Sequence, residues 1–224
     1  MGSSLESSES SEKTLTYPDR QEMQYYRKLF HVFAGSFSFV VYNFSGLRES
    51  MVWLLLLFCV LISLSFDLLR MYKKDFSKKY IRYFRKILRD SEQKGLTSAT
   101  RGLFAALVVI VIFPRDVDNL AILFTTFADP VGGIIGSRYG KIKINKHASL
   151  VGSVAVLATS TLIVILVSLL GLLEHSFSPM GLVVFAILCG LLVAIAEGAI
   201  YQWDDNMTIP WTLAPCVWLL LKVF

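Results

Sequence analysis

Charge is scarce in this chain of 224 residues, and cysteine is scarcer. Asp, Glu, Lys and Arg supply 17% of the residues against 54% hydrophobic, and mean hydropathy is +0.58. So few polar groups cannot cover a soluble globule, which excludes an ordinary soluble domain and makes a bilayer the natural solvent. The three cysteines, Cys59, Cys189 and Cys216, stand far apart within apolar stretches. Such spacing supports neither a disulfide framework nor a zinc site. The first residues hold no apolar run, so no cleaved signal peptide is expected, and "MGSSLE" fails the myristoylation pattern at Glu6. Internal repeats are not apparent. Residues 1–24, rich in serine and acids, are expected to be a disordered, solvated tail ahead of one membrane domain over 25–224.

What the chain does have is long hydrophobic runs. Crossing about 30 Å of hydrocarbon takes roughly 20 apolar residues. Seven stretches qualify: 29–47, 51–69, 96–113, 117–136, 149–173, 181–201 and 208–224. The first, fourth and seventh are the weakest, carrying His31, Asp129 and two prolines. The expected fold is all-α: a polytopic bundle of about seven transmembrane helices. With the tail in the cytosol, 18 of the 22 Lys and Arg fall on cytosolic segments, the exceptions being Arg48, Arg101, Arg115 and Lys222. The positive-inside rule selects that orientation. The opposite loops, "GLRES", "PRDVDN" and "EHSFSP", are short and slightly acidic.

Residues 70–94 hold ten basic residues against three acids, with Phe76, Tyr80, Tyr83, Phe84, Ile87 and Leu88 at helical spacing. An amphipathic helix on the cytosolic leaflet explains this pattern, its cations facing anionic headgroups. Membrane spans on both flanks argue against nucleic acid as the partner. A topology anchor without further role explains the same residues.

The unusual polar residues gather at span ends that share one side: Arg27, Lys28 and His31; Asp67 and Arg70; Thr97, Ser98 and Arg101; residues 129–141; residues 149–153; Glu197; and Asp204, Asp205 and Asn206. Ionisable residues within spans are costly and face a protein interior or watery cavity, so convergence on one face implies one site. Structural alternatives stand beside several of these. Arg27 and Lys28 suit an interfacial anchor, Asp67 can pair with Arg70 one turn on, and Gly132, Gly136 and Gly140 repeat every four residues as helix-packing glycines do. Glu197 lies in three apolar turns and must be protonated, paired or metal-bound.

Asp129, Glu197, Asp204 and Asp205 would repel one another without a divalent cation or basic groups. Magnesium bridges one or two carboxylates to substrate phosphates. Lys28, Arg138, Lys141 and Lys146 can neutralise phosphate oxygens, and glycines admit backbone amides close to them. The set suits phosphoryl transfer, where catalysis is mostly positioning and charge stabilisation. "GSRYGKI" lacks the Walker spacing and a Ser or Thr after Lys141, which excludes a soluble-type P-loop enzyme.

The stretch "DPVGGIIGSRYGK" with the later "SLVGS" resembles the D-x-x-A-x-x-x-G-x-x-x-G and K-[ST]-x-x-G-S elements of the CTP-dependent lipid kinases, which include dolichol, phytol and membrane-type diacylglycerol kinases. "RKLFH" and "AEGAIYQWDDNMTIP" resemble the family's opening Arg-Lys-x-x-His and closing Glu…Asp-Asn-x-Thr-x-Pro segments. "DLLRM", "WDDNMTIP" and the compact length are most similar to the diacylglycerol kinase branch. The resemblance covers residues 27–210. It implies a transmembrane lipid kinase domain in which CTP donates the phosphoryl group, Mg2+ (or Ca2+) assists, and a membrane lipid alcohol accepts. Asp129, Arg27, Lys28 and His31 would be catalytic. Gly132, Gly133, Gly136, Arg138, Gly140, Lys141, Lys146, Ser149, Gly152 and Ser153 would bind nucleotide, Gly136 and Gly140 as its contacting turn. Asp129, Glu197, Asp204, Asp205 and Asn206 would hold metal, and Asp67, Thr97 and Arg101 are candidates on the lipid side.

The chain departs from that pattern twice: Gly132 stands for the signature alanine and Ala148 for the lysine before "SLVGS". Either Lys146 reaches the same phosphate or the lysine is lost. Phosphatidate cytidylyltransferases share a similar Asp/Gly/Lys stretch but end in H-G-G-x-x-D-R-x-D, replaced here by "DDNMTIP". A transporter is the non-enzyme alternative, since a span interrupted by Asp129, Pro130 and glycines suits an ion site. The cytosolic face of the endoplasmic reticulum or nuclear envelope is expected in a eukaryote, the inner membrane in a bacterium. The residues decide neither the acceptor lipid nor the oligomeric state.

Overall fold

The computed structural model describes residues 20–88, 92, 95–145, 148–199 and 205–224. Among these the regular structure is helical, with one isolated bridge between Lys143 and Ser149. Helix α1 spans Arg20–Phe44, α2 Glu49–Tyr72, α3 Lys74–Phe84 and α4 Ser98–Ile112. Arg115–Leu123 is α5, which runs through a π-helical turn, Phe124–Ala128, into α6, Asp129–Tyr139. Then come α7 Leu150–Leu169, α8 Pro179–Ala199 and α9 Asp205–Leu221.

Among the described residues four helices are long and apolar enough to cross a membrane: α2, the continuous 25-residue α5–α6 rod, α7 and α8. Length and composition of the described helices alone therefore do not confirm the expected count of seven. Helix α1 begins with charged turns, α4 stops before Pro114, and the apolar part of α9 is only Ile209–Leu221. The basic helix expected over 70–94 is shorter, since α2 continues to Tyr72 and α3 occupies Lys74–Phe84. Along α3 the rings of Phe76, Tyr80 and Phe84 stack in sequence and Phe66 of α2 continues the row, while Lys74, Lys78, Lys79 and Arg82 are exposed.

Residues 129–140 are not the glycine-rich interruption the composition suggests. Pro130 lacks an N–H and its ring crowds the carbonyl four residues back, which ordinarily breaks a helix. Here the preceding π-turn widens the backbone, with the Asp129 N–H bonded to the Phe124 carbonyl, and the rod continues to Tyr139. Gly132 and Gly136 lie inside α6, and only Gly140, its C-cap, stands at a turn. The glycines earn their place through packing. A Cβ on Gly132 would collide with Val156 of α7, and one on Gly136 would stand 2.9 Å from Ser149 Oγ and 3.3 Å from the Gly152 Cα. A Cβ on Gly152 would in turn stand 3.1 Å from the Gly132 carbonyl oxygen. Small residues on both helices let the backbones approach, as in membrane bundles generally.

The apolar core lies between α5–α6, α7, α8 and α9, with Phe124, Val156, Val164, Phe185 and Leu213 among its buried members. Polar side chains cap it at both ends. At one end Asp67 of α2 accepts from the Thr97 N–H (2.8 Å) and the hydroxyls of Thr97 (3.0 Å) and Thr100 (2.7 Å), and pairs with Arg70 at 3.0 Å. Arg70 also donates to the carbonyls of Glu92 and Gly95 and lies over Tyr80.

Residues 115–119, expected in a loop, instead start α5 and are buried at the other end from Asp116 onwards. There Tyr42 donates to Asp118, Asn43 and Asn119 exchange amide bonds, and Asp116 accepts the backbone N–H groups of Glu174 and His175 at 2.7 and 2.9 Å. Burying these groups requires partners, and α1 and the α7–α8 connection supply them.

Candidate functional site

Asp129 heads α6, so Gly132 and Gly133, three and four residues on, share its side of the helix. Each glycine admits one charged group. A Cβ on Gly133 would collide with the Lys28 ammonium of α1, and a Cβ on Gly132 would stand 3.0 and 3.2 Å from the two carboxylate oxygens of Glu197 in α8. Both Asp129 and Glu197 act electrostatically on Lys28. Three helices distant in sequence thus bring one cation and two anions together, and all three side chains are half-buried. Opposite charges within a partly desolvated site attract several times more strongly than in water.

Neighbouring groups frame this centre. Arg27 donates to Ser98 at 3.2 Å, tying α1 to the start of α4, and Ser98 in turn donates to the Glu92 carboxylate. Asn206, early in α9, packs near Gly102 of α4, where an added Cβ would lie 3.7 Å from its own. His31 is half-buried one turn beyond Lys28 and makes no side-chain hydrogen bond among the described residues.

The remaining expected residues separate into three groups. Gly136, Ser149 and Gly152 are buried at the α6–α7 junction, where Ser149 caps α7 by accepting the Gly152 N–H at 3.2 Å and donates to the Gly136 carbonyl at 3.3 Å; Ser153 is half-buried in the next turn. Arg138 and Lys141 are exposed, Arg138 lying over the ring of its neighbour Tyr139. Asp67 and Thr97 belong to the buried network described above, with all their polar contacts directed inward, and Arg101 is half-buried near Gly95. Lys146 and Asp204 lie outside the described residues, as does the side chain of Asp205, the first residue of α9.

One positioning residue gave no signal in the sequence. Asn145 donates from its side-chain amide to the Gly198 carbonyl at 2.6 Å, beside Glu197, and accepts the Ala148 N–H at 2.6 Å. It pins the 140–149 connection to the end of α8. Two residues of i,i+3 spacing within a loop carry no periodic pattern, so only the fold reveals the contact.

Among the described residues no three His, Cys, Asp or Glu side chains cluster closely enough to hold a metal. Magnesium does not need three, since it binds through one or two carboxylates plus substrate phosphates and water. Asp129 and Glu197, both within electrostatic reach of one ammonium, fit that donor set.

No protein-family model and no solved structure matches the chain. Among curated proteins it is 24% identical over 200 residues to CTP-dependent diacylglycerol kinase 1 of Saccharomyces cerevisiae, covering 82% of this chain and 69% of the relative. The chain resembles CTP-dependent diacylglycerol kinases. The Schizosaccharomyces pombe protein of that name is 25% identical over 162 residues, 69% of this chain and 74% of its own length. The Eremothecium gossypii protein is 24% identical over 200 residues, 82% and 63%.

Proposed function

We propose that this chain is a CTP-dependent diacylglycerol kinase. The observation that carries the reading is the meeting of Lys28, Asp129 and Glu197 over Gly132 and Gly133, in a chain whose relatives bear that name. In the reaction, the diacylglycerol hydroxyl oxygen forms a bond to the γ-phosphorus of CTP while the bond from that phosphorus to the β-bridging oxygen breaks. CDP leaves, phosphatidate remains in the bilayer, and the hydroxyl proton passes to a carboxylate, for which Asp129 is the candidate.

Each residue has a defined task in this scheme. Lys28 offsets charge on the phosphoryl oxygens, which in phosphoryl transfer is where most of the catalytic effect lies. Arg27, held by Ser98, meets the phosphates from the same helix end. Asp129 and Glu197 would hold Mg2+ or Ca2+, with Asp204, Asp205 and Asn206 completing the polar wall; the ion would supply neutralisation of phosphate charge. Arg138, Lys141 and Lys146 form a basic rim for the nucleotide. Gly136, Gly140, Ser149, Gly152 and Ser153 shape the floor, His31 stands one turn beyond Lys28 on the catalytic side, and Arg101 flanks the lipid side.

Helices α1, α4 and α9 complete seven spans in this reading, and α3 lies on the cytosolic leaflet with its cations towards the headgroups. The site faces the cytosol from the endoplasmic reticulum or nuclear envelope, in keeping with relatives from fungi. The relatives' name favours diacylglycerol over dolichol or phytol, and a kinase over a cytidylyltransferase or transporter. The test offers purified chain in micelles CTP or ATP, each labelled in the γ-phosphate, with diacylglycerol, dolichol or phytol. Labelled phosphatidate from CTP is expected. Label confined to a polyprenol or phytol product, or strict dependence on ATP, would refute the assignment.

A further inference from the structure

We propose that α1 is a positioning element, in which the contact of Gly35 with Thr126 sets where Lys28 stands between Asp129 and Glu197. The proposal rests on the reaction given above. It comes from a regularity in how α1 lies antiparallel along the α5–α6 rod. At the far end, Tyr42 donates to Asp118 at 2.9 Å, and Asn43 and Asn119 exchange hydrogen bonds of 2.8 and 3.2 Å. Seven residues back from Tyr42, Gly35 sits against Thr126, seven residues on from Asn119. Seven further back, Lys28 covers Gly133, seven on from Thr126. Seven residues make about two helical turns, or about 10.5 Å, so the same faces of both helices meet three times in step.

The contacts differ in kind, and the difference assigns their roles. The far clamp is directional and buried: Asp118 is 1% exposed and Asn119 is fully buried, so it fixes the position of α1 along the rod. The middle contact is steric. A Cβ on Gly35 would collide with Thr126 Oγ1 and stand 2.8 and 2.9 Å from its Cγ2 and Cβ. Thr126 cannot retreat, because it is 1% exposed and sits in the π-turn that leads directly into Asp129. The absence of one methyl group on Gly35 therefore sets the separation of the two helices. Lys28 lies at the other end of the same face, beside Arg27, whose bond to Ser98 ties α1 to α4 and not to the rod, so its distance from Asp129 follows from that separation. Gly35 and Thr126 are positioning residues acting through Lys28, and neither touches the reacting atoms.

A double-mutant cycle in the purified full chain tests this. Rates of CTP-dependent diacylglycerol phosphorylation are measured for wild type, Gly35→Ala, Lys28→Gln and the double variant. Misplacing a catalytic group by about 1 Å costs up to about 10²-fold, so Gly35→Ala is expected to lower kcat at least about tenfold. In the Lys28→Gln background it should cost nothing further, because the group through which it acts is gone. Equal losses in both backgrounds, or a Gly35→Ala rate equal to wild type, overturn the proposal.

Should Gly35→Ala fail to fold, Thr126→Ile thickens the opposite wall by one methyl group and the same cycle is read. A second measurement stands apart from activity: amine-reactive labelling of Lys28, followed by mass spectrometry, should rise severalfold in Gly35→Ala. Unchanged labelling overturns the positioning role. An inactive wild type whose Lys28 labelling still responds to Gly35→Ala would sink the kinase reading and leave the positioning intact.

Discussion

Gly133→Ala separates activity from stability, because the structure predicts that the two move in opposite directions. The new methyl would occupy the space of the Lys28 ammonium, which is the far end of a flexible side chain and can withdraw. For a charge interaction at an effective dielectric of about 20, retreat from about 4 to about 6 Å loses about 1.4 kcal/mol. A loss of that size in stabilising the transferring phosphoryl group slows the reaction about tenfold. The helix itself gains, since alanine is favoured over glycine in a helix interior by about 0.8–1.0 kcal/mol. For a chain of this size such a gain raises the Tm by about 2–4 °C. The assay pairs initial rates in mixed micelles across a range of CTP concentrations with thermal unfolding followed by tryptophan fluorescence. A rate equal to wild type would refute the placement of Lys28 over Gly133, and a lowered Tm would refute the reasoning that the ammonium yields.

Asp67→Asn should lower stability by about 3–5 kcal/mol, because it leaves Arg70 buried without its counter-charge; the unfolding transition measures it, and a shift near zero contradicts the network. Asp116→Ala frees the N–H groups of Glu174 and His175 at the opposite end of the bundle, a loss of about 1–3 kcal/mol, while KM for CTP stays at the wild-type value. Ala148→Lys restores the basic residue of the lipid kinase pattern beside the Ser149 cap and is expected to raise turnover with CTP. An unchanged or lower rate would count against a place for a lysine at position 148 in the phosphate site.

The apolar rods were the most legible part of the fold. Expected spans at 51–69, 149–173 and 181–201 correspond to α2, α7 and α8 within a few residues, because uninterrupted hydrophobic runs have few other solutions in a bilayer. The Asp67–Arg70 pair was also legible, since one-turn spacing is a local signal. A span was expected at 117–136 and the α5–α6 rod occupies Arg115–Tyr139, but the unbroken helix through residues 129–139 was not legible, because proline and three glycines argue against it until Gly152 and the π-turn give them partners. The buried cluster of Asp116, Asp118 and Asn119 was hidden for a related reason. Its partners on α1 lie 76 residues away for the Tyr42 and Asn43 bonds, and a polar stretch after Pro114 reads as a loop. At the candidate site the sequence singled out Lys28, Asp129, Gly132, Gly133 and Glu197, whereas Asn145 emerged only from the fold.

The most direct measurement is lipid phosphorylation from γ-labelled CTP by wild type, Asp129→Asn and Glu197→Gln, each shown to be folded by its unfolding transition. Labelled phosphatidate from wild type alone is the predicted result. Turnover that survives in folded Asp129→Asn would mean that the gathering of Lys28, Asp129 and Glu197 is not where the phosphoryl group moves.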